Sequence, residues 1–66
     1  MQLTINGVPR DLPADATVAD AVAAAAAPPR GVAVAVNGAV VPRGAWPATA
    51  LAAGDRVEVL SAAQGG

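Results

Sequence analysis

The sequence predicts an α+β domain in which one helix lies across one face of a mixed sheet of four to five strands. Three observations point there. Two Asn-Gly dipeptides, Asn6-Gly7 and Asn37-Gly38, each separate alternating apolar stretches, the pattern of tight hairpins. Only one segment, between them, carries helical periodicity with both ends marked. The runs nearest the two termini, QLTIN and RVEVL, are both strongly patterned strands. A chain of 66 residues buries only about 60% of the surface its unfolded form exposes, so there is room for one small core and no second domain.

The first hairpin begins with residues 2–6, where Leu3 and Ile5 share a face, and VPRDL returns antiparallel after the turn. A two-residue loop pairs Ile5 with Val8 and Leu3 with Arg10. Strict alternation therefore sends Arg10 to the core side, which requires a bulge or a snorkelling side chain. Pro9, lacking an N–H, suits only an edge strand.

The helix is expected from Val18 to Ala26. Thr17 caps the first turn, Asp20 stands at the capping-box spacing, and Pro28-Pro29 cannot continue the helix. Val18, Ala21, Val22 and Ala25 form an apolar stripe of small residues that lets the helix lie close on a sheet. Next, GVAVAV alternates Val32, Val34 and Val36 against Ala33 and Ala35, and the second Asn-Gly turn follows. The segment PRGAWPATALAAGD reads as irregular, with Trp46 as a core plug and Arg43 as a solvated loop residue. Gly54-Asp55 turns the chain into the last strand, with Val57 and Val59 inward. The domain is thus residues 1–60, and a tail of residues 61–66, SAAQGG, follows.

Composition excludes much chemistry. There is no cysteine and no histidine, which removes disulfides, thiolate catalysis, iron–sulfur clusters and the usual zinc sets. Four arginines and no lysine stand against five acidic residues, and a net charge of −1 leaves no basic footprint for nucleic acid or an anionic membrane. MQLTING lacks the regions of a secretory signal, and AVAAAAAPP is far too short to span a bilayer, so the expected location is the cytoplasm. Ser61 and the threonines have no base beside them in the pattern, so no side chain is a credible nucleophile. The one remaining reactive group is the terminal carboxylate.

TVADAV after a first hairpin, then VAVNGAVVPRGAW, LAAGDRVEVL and the final Gly65-Gly66, resemble the ThiS family of sulfur carrier proteins along the full chain. That resemblance implies the ubiquitin-like β-grasp fold, with the first and last strands parallel neighbours at the sheet centre. It also implies a carrier rather than an enzyme, with no bound cofactor or metal. An E1-like adenylyltransferase of the ThiF type would use ATP to adenylate the Gly66 carboxylate. A sulfur donor such as a cysteine desulfurase would convert it to a thiocarboxylate, and a thiazole synthase of the ThiG type would receive the sulfur for the thiazole ring of thiamine.

Such a role explains a bland tail. An ionised carboxylate, with a pKa of about 3.5, is a poor electrophile and needs activation. A channel that excludes water admits bare backbone at Gly65 and Gly66 more readily than any Cβ. Six extended residues reach about 20 Å, with Ala62, Ala63 and Gln64 following the glycines inward. Partner docking would then use Leu60, with Arg56 and Glu58, on the sheet face away from the helix. The free protein is expected to be a monomer.

Other readings share these features. The small subunit of molybdopterin synthase and carriers for other sulfur-transfer pathways use the same terminal chemistry. A ubiquitin-like modifier is a further class, although without lysine it cannot build lysine-linked chains. LPADATVADAV also resembles β-grasp regulatory modules, which have no use for a free Gly66.

Overall fold

A computed structural model of the chain describes residues 1–28 and 30–61. Its elements are β1 (Gln2–Ile5), β2 (Val8–Asp11), α1 (Val18–Ala24), β3 (Val32–Val36), β4 (Ala39–Val41), a 3-10 helix (Arg43–Ala48) and β5 (Arg56–Ser61). The strands form one sheet in the order β2-β1-β5-β3-β4. β5 is therefore central, parallel to β1 and antiparallel to β3.

Both hairpins turn as their sequences require. Asn6 and Gly7 have φ of 53° and 80°, Asn37 and Gly38 have 52° and 86°, and two consecutive left-handed residues define a type I′ turn. The first hairpin keeps the expected register, with Leu3 opposite Arg10 and Ile5 opposite Val8. The problem set by Arg10 dissolves without a bulge. The pairing is uninterrupted from Gln2–Asp11 to Ile5–Val8, and every residue of β2 is exposed because this edge strand lies beyond the cover of the helix. Arg10 shares a face with Leu3 but meets solvent there.

The helix starts where expected and ends two residues early. The Thr17 N–H donates to Asp20 Oδ2 at 2.8 Å, and the Thr17 hydroxyl donates to the same oxygen at 3.2 Å. Val18 donates its N–H to the carbonyl of Thr49 at 3.0 Å, so another of the orphan donors at this end is satisfied. At the other end Ala25 is the C-cap and Ala26 has a φ of 53°. The Ala26 N–H bonds the Ala23 carbonyl, and the Ala27 N–H bonds that of Val22, which together make a Schellman motif. The stop is a left-handed residue, not the prolines downstream.

Under the helix the core is wholly apolar: Leu3, Ile5, Val18, Ala21, Val34, Trp46, Leu51, Val57 and Val59 form one buried cluster. Among the described residues no polar or charged side chain is buried. The segment read as irregular contains the 3-10 helix. Trp46 is 8% exposed, as a core plug should be, and its indole N–H donates to the Val41 carbonyl at 2.9 Å. Arg43 is exposed and lies over the Trp46 ring, 5.4 Å from its centroid. A bridge between Thr17 and Ala50 docks the strap that follows against the start of α1. Among the described residues no helix is long and apolar enough to cross a membrane.

Candidate functional site: the end of the central strand

The chain leaves the described domain at Ser61, from the middle of the sheet. Ser61 belongs to β5, paired with Val32, so the strand runs one residue past the expected domain boundary. Gly66, Gly65, Gln64, Ala63 and Ala62 lie outside the described residues. What the structure supplies is their platform.

β5 alternates strictly. Val57 and Val59 are buried against the helix side, whereas Arg56, Glu58 and Leu60 are exposed on the other face. Leu60 is 63% exposed, and its partner on β3 is Ala33. Ala35, two residues along β3, sits between Glu58 on β5 and Val40 on β4, and Val40 is 76% exposed. The three residues expected for docking thus share a face, and the sheet adds an apolar strip of Leu60, Ala33, Ala35 and Val40 beside the tail exit. Arg56 and Glu58 flank it, and a shallow groove lined by Thr4, Arg56, Glu58 and Leu60 runs toward the first hairpin. Ala33, Ala35 and Val40 escape a reading strand by strand, because the strip exists only across three strands; outward alternation relative to Val34 and Val41 is the signal that would find them.

The end of β5 has a second support. β1 stops at Ile5, yet the Asn6 carboxamide continues its ladder: the Val59 N–H donates to Asn6 Oδ1 at 2.8 Å, and Asn6 Nδ2 donates to the Val59 carbonyl at 3.1 Å. Asn37, in the equivalent turn, holds the other end of the strand. Its Oδ1 accepts the Arg56 N–H at 2.9 Å, and its Nδ2 donates to Asp55 Oδ1 at 3.0 Å. Sequence reasoning read both asparagines as turn formers alone.

No group of acidic, histidine or cysteine side chains suited to a metal ion occurs among the described residues. The described body presents an exposed apolar strip beside the end of its central strand.

A five-stranded mixed sheet with a single helix, its first and last strands parallel at the centre, defines a β-grasp domain. The family model of the ThiS family matches residues 3–66, and the chain belongs to that family. Among solved structures it is similar to the thiamine biosynthesis protein ThiS of Geobacter metallireducens, with 36% identity over 92% of this chain and 93% of that one and a TM-score of 0.80. No curated protein shows a significant match. The chain is accordingly a small sulfur carrier of thiamine biosynthesis, not itself an enzyme. This decides among the pathways that a Gly-Gly terminus alone leaves open.

Proposed function

We propose that the Gly66 carboxylate is the group that carries the sulfur, as a thiocarboxylate. The observation that carries this reading is that the family match runs through Gly65 and Gly66 to the last residue. The position of β5 supports it, because a central strand launches the tail beside an exposed apolar strip.

In this scheme a carboxylate oxygen of Gly66 attacks the α-phosphorus of ATP within a ThiF-like adenylyltransferase, forming an acyl adenylate and releasing pyrophosphate. A hydrosulfide equivalent from a sulfur donor adds to the activated carbon and expels AMP, leaving the thiocarboxylate. The carbon has exchanged one oxygen for one sulfur with no net redox change at that atom. The tethered sulfur then passes to a ThiG-like thiazole synthase. Leu60, Arg56 and Glu58 meet these partners on the sheet face away from the helix, while Ala62, Ala63, Gln64 and Gly65 reach into the enclosed site. ATP is consumed by the activating enzyme and is not held by the carrier.

Intact-mass spectrometry after incubation with the cognate adenylating enzyme, ATP and a sulfur source tests the scheme. The mass is expected to rise by the difference between one sulfur and one oxygen, and deletion of Gly66 is expected to abolish the rise. An unchanged wild-type mass, or an equal gain in the deletion variant, would overturn it.

A further inference from the structure

We propose that Asn6 is a positioning residue for the tail: its carboxamide, acting as a side-chain rung of the sheet, fixes the direction in which β5 hands the chain on. The inference rests on the carrier function proposed above and assigns it a residue outside the tail and the docking strip.

The geometry is that of a ladder extended by one step. Thr4 donates its N–H to the Asp55 carbonyl at 3.0 Å and Asn6 donates its N–H to that of Val57 at 2.8 Å, in the alternating order of a parallel pair. The next groups in that row are the N–H and carbonyl of Val59. By then the β1 backbone has turned away at Gly7, and the Asn6 carboxamide supplies one acceptor and one donor in its place. On the opposite flank β3 pairs with β5 as far as Ser61. With the carboxamide, β5 is held from both sides up to Val59. Without it, the hold from the β1 side ends at Val57, two residues further from the tail. A tail that must enter a narrow site gains from a fixed point of departure, because fewer wrong orientations compete with the productive one.

The turn and the rung are separable. The left-handed φ of Asn6 is met equally well by glycine, which keeps the turn and deletes the rung. Asn37 is an internal control: it has the same turn geometry and a similar carboxamide grip, but at the start of β5.

The experiment compares full-length wild type with Asn6→Gly, Asn6→Asp and Asn37→Gly at a temperature where all are folded. Amide exchange is read by NMR, and activation by the cognate adenylating enzyme is read as ATP–pyrophosphate exchange over a range of carrier concentrations. Asn6→Gly is expected to accelerate exchange from Val59 to Ser61 about tenfold, the scale of about one lost net hydrogen bond. It is also expected to raise KM severalfold with kcat unchanged, since a seated tail is held by the enzyme. Asn6→Asp keeps the acceptor for the Val59 N–H and should fall between. Asn37→Gly should lose similar global stability yet leave KM unaltered. An unchanged KM in Asn6→Gly, or an equal rise in Asn37→Gly, overturns the proposal. If wild type itself is not activated, the carrier scheme fails instead; the exchange rates still decide, since acceleration at Leu60 and Ser61 in Asn6→Gly alone upholds the rung and equal rates remove it.

Discussion

Ala26 carries a conformation that suits another residue. Its φ of 53° closes the Schellman motif of α1, and a left-handed alanine costs roughly 1–2 kcal/mol because its Cβ crowds the following carbonyl. Ala26→Gly relieves that cost and gives back part of the gain as extra freedom in the unfolded chain. The expected outcome is a net stabilisation of about 0.5–1 kcal/mol, read as a higher urea midpoint with an unchanged slope. The same residue explains why the helix boundary was not legible. Five consecutive alanines, Ala23 to Ala27, offer no glycine or asparagine to mark a left-handed stop, so the prolines downstream looked like the terminator. Arg10 fails for a different reason: alternation assigns a residue to a face, but only the extent of the helix decides whether that face is covered there.

At the scale of elements, the 3-10 helix is the part that periodicity missed. A six-residue segment with Pro47 inside it is too short to show a helical period, and what holds it is tertiary: Trp46 in the core, its N–H on Val41, and the Thr49 hydroxyl donating to the Ala45 carbonyl at 2.7 Å. Truncation at such a plug typically costs about 3–5 kcal/mol. A domain this small has a total stability of only about 3–10 kcal/mol. Trp46→Ala is therefore expected to unfold much of the population at room temperature. Trp46→Phe keeps most of the apolar bulk and loses the hydrogen bond, at a cost of about 1–2 kcal/mol. Far-UV circular dichroism in urea would check both. Both hairpin turns, by contrast, are legible in the sequence, as is the register of the first, since an Asn-Gly pair marks a two-residue type I′ loop.

For the whole molecule, the sheet face opposite the helix is where the proposed docking can be tested. Leu60 contributes nothing to the core, so Leu60→Thr, which keeps a good strand former, is expected to shift stability by no more than about 0.5 kcal/mol. Affinity for the adenylating enzyme should fall about tenfold if the strip is the anchor. Titration calorimetry beside a thermal melt separates the two effects, and equal affinity would move docking elsewhere. Leu60, Glu58 and Arg56 were legible because β5 alternates cleanly. The strip's other members required knowing which strands are neighbours, and the parallel contact of β1 with β5 came from family resemblance, since periodicity carries no information about pairing partners.

The place of β5 between β1 and β3 has a consequence for how the protein is made. Until that strand arrives, the sheet is two hairpins with no hydrogen-bonded contact through a common strand. β5, which follows both hairpins in the chain, is the segment that joins them, and its pairing with β1 spans most of the domain's sequence. A chain broken off before residue 56 lacks both a continuous sheet and the terminal glycines. Closure of the fold thus waits for residues 56–61, so copies that stop short of them cannot become well-folded decoys for the partners proposed above.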